Sequence, residues 1–184
     1  MSKIDDAYQL YADHIYDPRK IFLLTKHNLK IAGSVPSVLW ELFGSILTGR
    51  TGAGTVGADL NGWEVKSSIE GGAYEYQYHL KTGAKKLGED CLVNHLFCSY
   101  SETYKNVSVF AIKGSQLGEY FFQQWMPQYE INYSISVPAN QRRQRFRKSI
   151  TSSYVEKNGS KILRIENGKL ISRCDNILDE FNSY

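Results

Sequence analysis

Asp59, Glu64 and Lys66 are the residues of this chain whose types and spacing could do chemistry. They flank an Asn61-Gly62 pair set between two short runs. That dipeptide is the strongest short-range signal for a two-residue hairpin, whose turn needs positive φ at both central positions. Pairing outward from the turn sets Leu60 against Trp63 and Asp59 against Glu64, and the period of two puts Lys66 on the same face as Glu64. Ala58, Leu60, Trp63 and Val65 form an apolar opposite face. Two carboxylates directly opposed repel by roughly 0.2–1 kcal/mol, so something cationic belongs between them. A hard divalent ion with oxygen ligands meets that need. So does Lys66 alone, in an ordinary exposed cross-strand salt bridge.

The elements that must position these groups lie on either side. Ser34 and Pro36 mark a helix entrance, and Val38 to Leu47 continues as an apolar helix whose only charge is Glu41. A carboxylate there needs a basic group or metal-bound water as partner, or else lies on the single wet stripe of the helix. The loop Thr48-Gly49-Arg50-Thr51-Gly52-Ala53-Gly54-Thr55 lacks the Gly-Lys-Ser/Thr ending of a phosphate-binding loop and leads into a strand, which excludes a nucleotide triphosphate. It suits a segment lying along a DNA backbone, with Arg50 as the contact, or a flap over the site. After the hairpin, Glu70–Lys81 alternates as a strand, with Tyr74, Tyr76 and Tyr78 on one face and Glu75, Gln77 and His79 on the other. Gln77 and His79 have the hydrogen-bonding groups to read base edges, and Lys81 closes the segment with a cation. A half-exposed strand packing its tyrosines inward is the plainer alternative.

Elsewhere the pattern is architectural. Residues 3–14 predict an amphipathic helix, Pro18 interrupts, and Ile21–Leu24 opens a second short element; residues 1–33 serve packing or dimerisation. Lys85–Asn94 predicts a helix. His95–Tyr100 and Asn106–Lys113 predict two central strands, and Ser115 is placed to cap a helix through Gln124 that ends at Trp125-Met126-Pro127. Asn158-Gly159 and Asn167-Gly168 predict two turns of a three-stranded meander over 152–173. No catalytic triad, zinc spacing or repeat is present.

At 184 residues and 42% hydrophobic, the chain is expected to form one domain, residues 1–184, with its own core. It has no membrane-length apolar run and does not start like a signal peptide, which predicts a soluble, cytoplasmic protein without membrane contact. Its three cysteines read as thiols, with Cys91 and Cys98 in the core. Charge is concentrated: residues 141–173 hold ten Lys and Arg against two Glu. The densest part is Arg142, Arg143, Arg145, Arg147 and Lys148. Such a field calls for a polyanion, nucleic acid first, unless it is a solvated surface. Arginine forks suit phosphate and guanine alike.

An Asp on one strand followed by Glu-x-Lys on the next, here Asp59 with Glu64-Val65-Lys66, resembles the signature of the PD-(D/E)XK nucleases. The helix bearing Glu41, the glycine-rich loop and Ser67-Ser68 extend the likeness over about residues 35–150, closest to the small type II restriction endonucleases of the PvuII branch. Ala58 stands where the motif's name has proline, and Asp59 lies unusually close to Glu64. The resemblance implies an α/β fold with a restriction-endonuclease-like αβββα core, a mixed central sheet and an added C-terminal β-meander. It implies Mg²⁺-dependent hydrolysis of double-stranded DNA, without a nucleotide cofactor, by a prokaryotic homodimer with one site per strand. Asp59, Glu64 and the Val65 carbonyl would hold metal, Glu41 would hold outer-shell water, and Lys66 would orient or deprotonate the attacking water or neutralise developing charge. The alternatives are a structure-selective or repair nuclease of the same fold, such as a resolvase or nickase, and a non-catalytic DNA-binding protein.

Overall fold

The computed structural model describes residues 2–54, 57–143 and 145–183. Thr55, at the end of the glycine-rich loop, and Gln144, inside the basic run, lie outside the described residues.

Strands β1 (Trp63–Ile69), β3 (Asn94–Tyr100), β4 (Val107–Lys113), β6 (Ser160–Glu166) and β7 (Lys169–Arg173) form one mixed sheet in the order β1-β3-β4-β6-β7. β1 runs parallel to β3, and the remaining pairs are antiparallel. β3 and β4 are central, as their composition predicts, because each carries apolar side chains on both faces. Leu96, Cys98, Val107 and Val109 belong to one cluster, Phe97, Phe110 and Ile112 to the other.

The first cluster is covered by α1 (Lys3–Leu10), α3 (Ser37–Thr48) and α8 (Asp175–Asn182). α3 lies tight on the sheet at Gly44, where a Cβ would stand 2.8 Å from a methyl of Val65. The second cluster lies under a separate antiparallel ribbon of β2 (Ala73–His79) and β5 (Arg145–Thr151), together with α6 (Gln123–Tyr133) and α7 (Ser152–Asn158). The tyrosine alternation drives that packing. Tyr74, Tyr76 and Tyr78 are each 1% exposed, against Phe97, Phe122, Trp125 and Phe146. A parallel pair needs a crossover, and β1 reaches β3 through β2 and α4 (Gly83–Asp90).

Several expectations are corrected. The meander over 152–173 is not formed. Thr151 accepts the Tyr154 N–H and starts α7, so Asn158-Gly159 ends a helix, and of these two dipeptides Asn167-Gly168, with φ of 50° and 76°, is the hairpin turn. β6 and β7 are integral to the central sheet, not an addition to it. The basic run therefore does not share a face with them; it pairs with β2. The helix expected from Ser115 begins at Gly114 as α5 (Gly114–Leu117), passes through a π turn at Gly118–Phe122 and continues as α6 across Pro127 to Tyr133. Ile21–Leu24 lies in α2 (Pro18–Lys26), which the Asp17 side chain caps. Cys98 is buried and Cys91 only half-buried. No helix among the described residues is long and apolar enough to cross a membrane.

Candidate active site

The Asn61-Gly62 turn is present. Leu60 and Trp63 exchange N–H···O bonds of 2.9 and 3.1 Å, although only Gly62, at φ 80°, takes the left-handed region. Pairing stops there. Among the described residues the arm before β1 is reduced to single bridges of Leu60 with Trp63 and with Gly52. Asp59 consequently does not sit across from Glu64 in a ladder; its Oδ2 accepts the Val65 N–H at 2.9 Å.

Trp63 and Val65 face the α3 side of the sheet, so Glu64 and Lys66 face the ribbon. Glu64 is 3% exposed, which removes the reading of an ordinary surface salt bridge. Both its oxygens are held by ammonium groups: Oε1 by Lys66 at 2.6 Å and Oε2 by Lys86, on α4, at 2.7 Å. Lys86 also pairs with Asp90 one turn later, and Asp90 Oδ2 accepts the Tyr78 hydroxyl at 2.9 Å. Below this row, His95 Nε2 donates to the Asp90 carbonyl at 2.8 Å, which leaves Nδ1 to accept the Tyr76 hydroxyl at 2.9 Å.

Burial and charge set the electrostatics. Burial would raise the Glu64 pKa, but Lys66 and Lys86 outweigh it and push it down to about 2. Asp59 goes the other way. Burial first, then the Glu64 charge, lift it to about 6, against the opposing pull of Lys66 and the Val65 N–H. Burial likewise raises Asp90 to about 6, below neutral pH, and its charge together with that of Glu64 raises Lys86 despite the desolvation of the amine.

Two cavities open on this row. One of about 250 Å³ lies between the start of α3 and β1 and is lined by Glu41, Asp59, Lys66 and Ser67 with Trp40 and Val65. It unites Glu41, Asp59 and Lys66, while Glu64 is reached through Lys66 from behind. The other, about 240 Å³, lies on the far side of Lys86 and is lined by Gln77, His79, Thr82 and Lys85.

The expected DNA-contact residues divide. Gln77 and His79 point outward from β2, in register with Arg147 and Arg145 of β5, and all four are exposed. Arg145 donates to Gln77 Oε1 at 3.3 Å, and Arg147 lies 3.7 Å from Glu75. Lys81 and Arg143 are exposed nearby. Lys148 turns to Gln128, and Arg142 Nε binds the Val137 carbonyl at 2.7 Å. Arg50 is drawn away altogether: Nε and Nη2 donate to the Asn182 side chain and carbonyl at 3.1 and 3.0 Å.

Lys86, Asp90 and His95 join the site without a motif in the sequence to mark them. The one available signal was the Lys86/Asp90 pair at i,i+4 on a helix preceding a central strand. No protein-family model and no curated protein matches the chain.

Proposed function

We propose that this protein is a Mg²⁺-dependent endodeoxyribonuclease of PD-(D/E)XK type, acting as a type II restriction endonuclease on double-stranded DNA. The observation that supports it best is the buried Glu64–Lys66 pair. Its lysine opens into a cavity shared with Asp59 and Glu41, on the edge strand of a mixed sheet.

The donor set suits a hard cation. Asp59, the Val65 carbonyl and Glu64 Oε1, through the lone pair that Lys66 leaves, would hold it, with Glu41 on its outer water, and only oxygen donors are called for. Burial is the main cause of the raised Asp59 pKa and the Glu64 and Glu41 charges add to it, so a cation beside Asp59 would offset both. When bound, it would polarise the scissile phosphate and lower the pKa of a bound water. The chain's own groups do the rest. The Val65 N–H fixes Asp59, and the Glu64 carboxylate holds the Lys66 ammonium where it can orient a water or meet developing charge on phosphate.

The β2–β5 ribbon, with Gln77, His79, Arg145 and Arg147 on its outer face, is the proposed DNA surface. Cutting both strands calls for two copies. Helix α2 fits as their contact, since none of its residues is buried and Phe22 is 64% exposed beside Leu23. A solution mass of one chain would count against that.

Plasmid DNA incubated with the protein and Mg²⁺ tests the reading. Discrete fragments support it, nicking or a preference for branched DNA points to a structure-selective nuclease, and intact plasmid points to a binding protein. Glu64→Ala and Lys66→Ala are expected to abolish cleavage and leave DNA binding measurable. Unchanged cleavage by either variant removes the site assignment.

A further inference from the structure

Lys86 is a charged group at the site that the nuclease reading leaves without a role. Its ammonium is shared between Glu64 Oε2, at 2.7 Å, and Asp90. The two carboxylates differ in freedom. Asp90 is 0% exposed and tied by the Tyr78 hydroxyl, and its backbone carbonyl is held by His95. Gly114 packs so close that a Cβ there would stand 2.5 Å from that carbonyl. Glu64 has three rotatable bonds and, among the described residues, its carboxylate is otherwise held by Lys66, which is half-buried and faces a cavity. Asp90 is the fixed post, Lys86 the link, and Glu64 the group that is linked.

We propose that Lys86, anchored by Asp90, is the positioning residue for Glu64: it turns Oε2 toward α4 and so presents Oε1 to Lys66, whose side chain lines the Asp59 cavity. A buried carboxylate without such a tether would have to find another partner or leave the interior. The consequence for catalysis rests on the nuclease reading; the consequence for Glu64's orientation does not.

The test uses the full chain with Lys86→Met, which keeps the unbranched stem to the ε position and loses the charged nitrogen. Asp90→Asn is the second variant, which keeps Lys86 and weakens its anchor. Melting curves establish folding, steady-state plasmid cleavage with Mg²⁺ separates kcat from KM, and a crystal structure without added metal reports the Glu64 side chain. We expect kcat of Lys86→Met to fall by about 10- to 100-fold with KM unchanged, the scale seen when a partner of a metal-binding residue is lost. The expected crystal structure has Glu64 Oε1 swung away from Lys66. Asp90→Asn should shift both readouts the same way by less, and it carries the test if Lys86→Met does not fold. Wild-type kcat in a folded variant, or Glu64 unmoved in its crystal structure, overturns the proposal. If the wild-type protein does not cleave DNA, the nuclease reading fails instead, and Glu64's position in the variant structures alone decides this one.

Discussion

Glu64 and His95 stand side by side in register on β1 and β3, and both are buried polar groups, yet they meet burial in opposite ways. Glu64 stays charged because two ammonium groups lie on it. His95 stays neutral: burial pushes its pKa down to about 4, and its two nitrogens are taken by a carbonyl and a hydroxyl. The rings of Tyr76, Phe97 and Phe122 surround it, and the charges nearest it are those of Glu64, Lys86 and Lys66. A depressed histidine pKa costs nothing above the unfolded value of about 6.5, where both states are neutral. As pH falls below that, the unfolded chain takes up a proton that the fold refuses, until the folded pKa is reached. Wild-type stability should therefore drop between pH 7.5 and 4.5 by on the order of 2–3 kcal/mol more than that of His95→Gln, whose amide can serve the same two partners. Urea denaturation at the two pH values measures this, and equal losses would refute it.

At the scale of elements, α8 does what no local pattern announced. Asn182, in its last turn, accepts from Arg50 Nε and Trp63 Nε1, both at 3.1 Å, and donates to the Thr48 carbonyl at 2.9 Å. One side chain thus joins the end of α3, the glycine-rich loop and the start of β1. Asn182→Ala removes these three hydrogen bonds and should destabilise the fold by about 2–4 kcal/mol. Denaturant unfolding checks it; a loss near zero would mean the loop and hairpin hold without α8. The same interaction ties Arg50, expected as a DNA contact from the glycine-rich loop, to the last turn of α8. The Asn61-Gly62 turn was legible because its chemistry is complete within four residues. Asn158-Gly159 was misread because Gly159, at φ −85°, needs no left-handed conformation and the Thr151 cap upstream had already committed the segment to helix.

Across the whole molecule, the cations of residues 141–173 do not share one surface. Arg164 pairs with Glu166 at 2.6 Å, and Arg173 is held by Asp5 and Asp175, at the β6–β7 side of the sheet. Arg145 and Arg147 lie on the ribbon instead. Only the ribbon arginines are expected to count in DNA binding. Replacing both with glutamine should weaken binding and reduce the slope of log Kd against log salt by about 1.8, at roughly 0.9 per lost phosphate contact. Replacing Arg164 and Arg173 should leave the slope as it was. Salt titrations on a duplex distinguish the two pairs, and equal effects would mean that the ribbon is not the contact surface.

What the sequence by itself determined follows from short-range patterns: the Asn61-Gly62 turn, the one-sided tyrosine alternation of β2, the apolar helix carrying Glu41, and the central place of β3 and β4. Each rests on a spacing of a few residues, where backbone sterics and strand or helix period decide. The tertiary structure alone decided that Glu64 is buried and not on a wet face, that Lys86 reaches it from 22 positions away, and that Asn182 reaches Arg50 across 132. It also decided that the basic strand leaves the central sheet to pair with β2. These outcomes depend on which surfaces meet once the chain has crossed the sheet, and no local period encodes that choice.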